Sequence, residues 1–334
     1  MAELVNEFNE ACSRVEPDDD DKTNASAAHL EVRACLEGND QLKAFGIDTI
    51  LIGSYSRQVS IRRVKDVDVF SKLPDIDTNL TSTAVLDLFE EILEDEFPDR
   101  VERQDRSVKV DFPDFGLHVD AVPARPAGDY WEIPDRAPDD DPDSDDNWQV
   151  TNPEGLGELS SEMNDADHFN TKYVPVVKLV RQARRANLGK RPGGLFFEVL
   201  TYHAFEDFDD EMKDKSKQRV FVAALRSIAT QLADFAADGD VADPSMDDGI
   251  ITIRATDIQI ALAAAKFAEI ADKAEEALKA EPCPAAKIYQ DMLGKNEDGD
   301  LVFELPTYCN ADGTKRADIR KSTTTVPGGR DRFG

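Results

Sequence analysis

Asp66 and Asp68 stand two residues apart in Asp66-Val67-Asp68-Val69-Phe70. In a strand, successive side chains point to opposite faces, so both carboxylates share one face while Val67 and Val69 point into a core. Two adjacent carboxylates each raise the cost of ionising the other unless a cation lies between them. That is a poor design for a plain strand and a good one for Mg²⁺, a hard cation that takes oxygen ligands and keeps water and substrate phosphates in its shell. Asp120, in His118-Val119-Asp120-Ala121-Val122, is a third candidate on another strand pattern. Three carboxylates can hold two metal ions about 3.5–4 Å apart, which clamp the attacking and leaving oxygens of a phosphoryl displacement. The expected cofactor is two Mg²⁺ ions, with Mn²⁺ able to substitute.

Gly53-Ser54 complements this set, 13 residues before Asp66. Glycine permits close backbone approach and unusual φ/ψ. Backbone N–H groups at a turn or helix start are ready donors to phosphate, and Ser54 adds a hydroxyl. A lone D-x-D is unremarkable in a chain with 69 acidic residues, and Gly-Ser is a common turn. The functional reading rests on their conjunction with a third aspartate.

The elements that must position these groups are legible as patterns. Apolar spacing predicts a first helix around Val5–Val15 and a second from about Ala25 to Leu36. Ile47–Ile52 reads as a strand stopped by a tight turn at Gly53-Ser54, and residues 66–72 as a second strand. Leu80–Phe97 is an amphipathic helix. Residues 108–112 and 117–122 are strands joined by hairpin chemistry at Pro113-Asp114-Phe115-Gly116. From about Pro123 to Pro153 the chain is rich in Pro and Asp and reads as a solvated loop or crossover with no element of its own. Beyond it, Tyr173–Asn187, Leu195–Phe208, Gln218–Ala237 and Thr256–Leu278 carry helical spacing, and the polar stretch from Leu305 is expected to be mobile. The expected division is a catalytic lobe with N-terminal helices over 1–150, a helical lobe over 151–304 and a tail over 305–334.

Composition narrows the function. The 39 Lys+Arg against 69 Asp+Glu give 39 − 69 = −30, which disfavours stable binding to nucleic-acid backbone but permits a small anionic substrate held through metal ions. No stretch approaches the roughly 20 apolar residues of a bilayer span, and Met1 to Asn9 lacks the features of a secretory signal. A cytoplasmic location without membrane contact is expected. The four cysteines, Cys12, Cys35, Cys283 and Cys309, form no C-x-x-C pair and read as reduced thiols.

These motifs resemble the DNA polymerase β-like nucleotidyltransferases. Gly53-Ser54-Tyr55-Ser56-Arg57, Ile61 to Phe70 and Val119-Asp120-Ala121-Val122-Pro123-Ala124 are similar to the bacterial cGAS/DncV-like nucleotidyltransferases (CD-NTases) of CBASS anti-phage systems. So are Trp148 to Glu154, Tyr173 to Arg181 and Phe197-Glu198-Val199-Leu200. The resemblance implies an α+β fold, a polymerase β-like lobe of mixed sheet and helices joined to a helical second lobe. It implies condensation of ATP and other nucleoside triphosphates into a cyclic di- or trinucleotide with release of pyrophosphate. The alternative is a nucleotidyltransferase with an RNA or protein acceptor, such as a poly(A) polymerase, a CCA-adding enzyme or a toxin. On the same resemblance, Asp66, Asp68 and Asp120 hold metal, and Asp120 also helps to deprotonate the acceptor hydroxyl. Gly53 and Ser54 touch the donor triphosphate, and Lys178 reaches its phosphates. One departure stands out: relatives often place a serine where this chain has Gly193-Gly194.

Several residues carry two readings. Lys178, Arg181, Arg184 and Arg185 suit a triphosphate or an ordinary exposed helix face. Arg57 binds triphosphate or pairs with an acid. Tyr202 stacks on a base or packs in the core. His118 next to Asp120 can be read as a general base, a role that metals make dispensable. Gly334 ends a polar segment suited either to fraying or to conjugation by an E1/E2-like partner.

Overall fold

The computed structural model describes residues 3–135, 141 and 144–317. Two apolar cores organise it, one under a mixed sheet and one among helices. In the sheet, β1 (Asp48–Ile52) runs antiparallel to β2 (Asp66–Lys72), and β2 runs parallel to β5 (Leu117–Ala127). β4 (Val108–Phe112) and β3 (Val101–Arg103) continue antiparallel, giving the order β1-β2-β5-β4-β3. Val67, Val69, Val108, Val110, Val119 and Ala121 alternate onto one face and are fully buried. They pack against α2 (Asp19–Gly38) and α5 (Ser82–Glu96). The other face carries the aspartates and, beyond them, a small apolar cluster of Phe70, Val122 and Ala124. This is the half-buried alternation expected when helices cover only one side of a sheet.

The second helix starts earlier than apolar spacing predicts. Asp18 accepts the N–H of Asp21 at 2.7 Å and Asp21 accepts the N–H of Asp18 at 3.3 Å, a capping box that turns the acidic run into the first turn of α2. After α3 (Asp40–Ala44) and β1, the Gly53-Ser54 turn proves to be the start of a one-turn helix, α4 (Gly53–Ser56).

The helical core gathers α6 (Pro153–Met163), α7 (Tyr173–Leu188), α8 (Gly194–Glu206), α9 (Lys217–Asp238), α10 (Asp257–Lys279) and α11 (Pro282–Leu293). The first helix, α1 (Val5–Val15), joins this core and not the sheet. Its Phe8 meets Tyr289 and Phe303 edge-on, with ring centroids 4.8 and 5.3 Å away. Lys217–Ala237 within α9 is long and apolar enough to cross a membrane by length and composition. Its Val220, Phe221, Ala224, Leu225, Ile228 and Leu232 are instead fully buried in the helical core.

Three expectations are corrected. Residues 123–153 are not simply a loop. β5 extends to Ala127, and β6 (Tyr130–Pro134) and β7 (Trp148–Thr151) follow as an antiparallel pair. Trp131 and Ile133 pack on Phe70, Val122 and Ala124, an apolar signal too short to stand out among Pro and Asp. The segment after Leu305 is held through residue 317. Cys309 is disulfide-bonded to Cys283 of α11, with Cα atoms 5.4 Å apart, and forms a bridge with Lys315. The same bond corrects the reading of four reduced thiols; Cys12 and Cys35 are free. A pairing over 26 residues leaves no local motif to read in the sequence. Gly334 lies outside the described residues.

Candidate active site

The parallel pairing of β2 with β5 sets Asp66 opposite His118 and Asp68 opposite Asp120. With β4 on the far side of β5, Lys109 stands opposite Asp120. All these side chains share the uncovered face of the sheet, because directly paired residues and their i+2 neighbours project the same way. Like charges placed directly opposite destabilise a sheet. The Asp68–Asp120 pair is therefore a feature that strand stability alone does not favour.

Asp68 sits deepest. Burial, then the charges of Asp66 and Asp120, push its carboxyl up to about 7. The charges of Arg57 and His118 oppose this and fall short. Asp120 lies 3.6 Å from Nε2 of His118 and accepts a 3.5 Å contact from the Ser107 hydroxyl. His118 is held above the ordinary histidine range, chiefly by its hydrogen bond to Asp120.

Gly53 carries φ +73°, in the left-handed region that favours glycine. A Cβ at that position would come within 1.8 Å of Oδ2 of Asp68. The glycine is what lets the α4 backbone lie against the carboxylate. Ser54, next in the chain, shares a 3.0 Å hydroxyl contact with Ser60.

Across the cleft, Arg57 meets an acid. Its Nε donates to Oε1 of Glu198 at 2.5 Å and its Nη2 to Oε2 at 3.1 Å. Arg181 on α7 donates to the same Oε2 at 3.3 Å. The Glu198 and Arg57 side chains are 1 % and 6 % exposed, so this arginine–glutamate–arginine triad is a buried tie between α4 and the helices α7 and α8. A cleft of about 400 Å³ lies between the two sides. Gly53, Ser54, Arg57, Asp66, Asp68 and Asp120 line it together with Arg181 and Glu198.

The structure thus brings together six of the residues expected from sequence. It does not bring Lys178 or Tyr202 to them. The Lys178 ammonium is buried against Glu16 at 2.5 Å, and burial lowers its pKa. Tyr202 is 5 % exposed and packs against Tyr173 at 6.2 Å, beside a separate cavity in the helical part. Arg181 takes the place at the cleft that was expected of Lys178; the two are one helical turn apart, and only the rotation of α7 about its axis separates them. Ser107, Asn152 and Ser245 also line the cleft. Asn152 caps α6 by accepting the Gly155 N–H at 3.0 Å and donates to the Ser245 carbonyl at 2.7 Å. Asn152 before Pro153 is a helix-start signal that locates the residue without revealing the cleft.

The aspartate face fits a divalent cation. The three aspartates offer carboxylate oxygens, and Asp68 is hard to ionise because burial, then the charges of Asp66 and Asp120, outweigh Arg57 and His118. Among the described residues, no three acidic, histidine or cysteine side chains already close on one point, so the ligands form an open face and not a finished cage.

Residues 2–164 match the Second Messenger Oligonucleotide or Dinucleotide Synthetase domain family. Over 302 residues the chain is 26 % identical to the cyclic AMP-AMP-AMP synthase of an Acinetobacter species, covering 87 % of this chain and 80 % of that protein. The Bradyrhizobium diazoefficiens CD-NTase CdnG in complex with GTP shares the fold with a TM-score of 0.66 at 16 % identity, covering 88 % of this chain and 96 % of that one. Escherichia coli MS115-1 CdnC with ATP does so with a TM-score of 0.64 at 16 % identity, covering 90 % and 98 %.

Proposed function

We propose, for a chain that belongs to the cGAS/DncV-like nucleotidyltransferases (CD-NTases), that it condenses ATP, alone or with other nucleoside triphosphates, into a cyclic oligonucleotide second messenger and releases pyrophosphate. Its place is anti-phage signalling in the cytoplasm. The observation that carries this reading is the register of Asp68 against Asp120, with Gly53 laid against Asp68.

Nucleotidyltransferases of this kind need a divalent metal, and Mg²⁺ held by Asp66, Asp68 and Asp120 is the ion proposed. When bound, it would neutralise charge on the transferring phosphate and acidify the attacking hydroxyl. The chain's own residues do the rest. Gly53 and Ser54 offer the α4 turn and a hydroxyl to the donor triphosphate. Arg181 faces the same phosphates, steadied by Glu198. The apolar Ile52, Val122, Leu156, Leu195 and Ile251 line the cleft and suit the base and sugar. The acceptor hydroxyl passes its proton to Asp120 as its oxygen bonds to the α-phosphorus. The bond from the α-phosphorus to the α–β bridging oxygen breaks, and its electron pair leaves with pyrophosphate. Repetition on the growing product, ending on its own first hydroxyl, closes the ring.

A cyclic trinucleotide is the favoured product, in keeping with the Acinetobacter relative's activity. Incubation with all four nucleoside triphosphates and Mg²⁺ should give a small, phosphatase-resistant product identifiable by chromatography and mass spectrometry. Incorporation only after RNA or protein is added would replace this reading with a macromolecular acceptor, which a charge of −30 disfavours for long RNA. Conjugation of Gly334 by an E1/E2-like partner belongs to the same proposal. Mass spectrometry for a Gly334 amide adduct in the presence of an E1-like protein tests it, and no adduct ends it.

A further inference from the structure

A second cavity of about 490 Å³ opens beside the cleft and shares Ser54, Asp66, Arg181 and Gly194 with it. Its character is opposite. Arg63, Lys65, Arg181, Arg184, Arg185 and Lys190 line it, against only Asp66 and Glu297 among acids. Six cations to two acids is a sharp local inversion in a chain of net charge −30.

Most basic residues here have acidic partners. Arg63 pairs with Asp298 at 2.6 Å, Lys65 with Glu297 at 3.1 Å and Arg185 with Glu297 at 3.4 Å. Arg184 does not. Its Nε donates to the Pro192 carbonyl at 2.9 Å and its Nη2 to the Lys190 carbonyl, and it has no carboxylate partner among the described residues. Burial, then repulsion from Arg181, Arg185 and Arg191, brings its guanidinium down to about 10. Lys190 is exposed, and among the described residues no carboxylate lies within salt-bridge distance of its ammonium. A half-buried arginine held by carbonyls and crowded by like charges is expensive unless an anion completes it. The fork is already oriented by the two carbonyls, which suits bidentate contact with phosphate oxygens.

We propose that this basic cavity is an anion site for pyrophosphate, which receives the leaving group as it parts from the donor phosphates and carries it out past Arg184 and Lys190. The inference rests on the proposed synthesis for its role in turnover, but the site itself is defined by charge and geometry. Pyrophosphate leaves the reaction carrying the electron pair of the broken bridging bond and no longer tied to the nucleotide. Arg184 and Lys190 line the cavity that shares Ser54 and Arg181 with the cleft. The aspartate face would repel the pyrophosphate once released from metal.

Inorganic pyrophosphate is the probe. Titration calorimetry on the whole chain in excess chelator removes the metal-dependent route to the aspartates, and the part of the binding that depends on Arg184 and Lys190, which line only the basic cavity, reports that site. One pyrophosphate should bind, more weakly as KCl is raised. The double variant Arg184→Gln/Lys190→Gln should lose at least tenfold in affinity, while Arg184→Lys retains most of it. Thermal melts establish that each variant is folded. If the double variant does not fold, Lys190→Gln alone, a change at an exposed side chain, should still lose about threefold. No binding by the unaltered chain in chelator, or equal binding by the folded variants, overturns the proposal. The titration needs no turnover. Binding in a protein that makes no cyclic product leaves the anion site standing and removes the synthesis; synthesis without binding does the reverse.

Discussion

The sheet face and the α7 face confront each other across the cleft with the same problem in opposite sign. On the sheet, Asp66, Asp68 and Asp120 are drawn together, and burial with their mutual repulsion pushes Asp68 up to about 7. On α7, Arg181, Arg184 and Arg185 crowd one another, and Arg184 is answered only by carbonyls. The faces differ in how they are tied. Among the described residues, nothing of opposite charge bonds to Asp66 or Asp68, whereas Arg181 is bonded to Glu198, which also grips Arg57. On the sheet face only Asp120, among the three aspartates, has a cationic neighbour within 4 Å among the described residues, His118 at 3.6 Å. The other face is partly neutralised and fixed in place, with Arg184 and Lys190 left over. A metal–triphosphate complex carries both signs in the order these faces need, cation toward the sheet and phosphates toward the helix.

That contrast can be broken from either side. Asp68→Asn should lower turnover at least about a thousandfold, because a neutral amide is a poor ligand for a hard dication. Steady-state assay of cyclic product measures it, and turnover that persists in chelator would contradict the role of the aspartate face. Glu198→Gln breaks the tie on the other side. Leaving two buried arginines to share a neutral amide should cost about 3 kcal/mol of stability, read by denaturant titration. An unchanged midpoint would show that the triad is solvated and not structural.

Gly53→Ala tests how closely the two chemistries must meet. A methyl 1.8 Å from Oδ2 of Asp68 forces carboxylate or backbone aside, so turnover should fall about a hundredfold in a protein that still melts cooperatively. A smaller effect comes from protonation. The native Asp68 carboxyl lies above its unfolded value, so the folded chain keeps a proton that the unfolded chain has released. Metal-free stability should therefore decline as pH rises from about 4 to about 7 and then level off, on the order of 1 kcal/mol or more. Asp68→Asn should flatten this profile in thermal melts, and Mg²⁺ should restore stability at pH 8. The smallest change is expected from Gly194→Ser. A Cβ there would approach the Arg181 guanidinium to 3.0 Å, so the guanidinium must shift by a few tenths of an ångström within its pairing to Glu198. A few-fold rise in KM for ATP, with kcat nearly unchanged, is the expected result.

Much of the site was legible without the fold because its signals are local. The period-2 pattern of residues 66–72 placed Asp66 and Asp68 on one face, and a glycine before a serine at a strand end marked the turn. The α7 arginines were visible as a basic cluster in an acidic chain, but which of them faces the cleft was not. Lys178 and Arg181 differ by one turn, and the choice belongs to Glu16, from the N-terminal helix, and Glu198, from the helix that follows α7. Arg57 had two readings until Glu198 settled it as the partner of an acid. Tyr202 is an aromatic at helical spacing whose surroundings alone made it core. The β6–β7 pair and the Cys283–Cys309 bond were hidden for the same reason, since each is an interaction between segments that carry little signal apart.

By itself, the sequence determined which chemistry this chain can carry out. Residue type and alternation set the carboxylates on one side of a strand, and chain-wide charge disfavours a passive polyanion partner. The tertiary structure alone decided where those groups meet. Parallel pairing of β2 with β5 puts Asp120 beside Asp68, and the seating of α7 against α4 and α8 selects Arg181 and leaves Arg184 uncompensated. The physical reason is range. Backbone alternation acts over two residues, whereas Coulomb repulsion, burial and shared hydrogen bonds act through space and take their value only when distant segments are packed together.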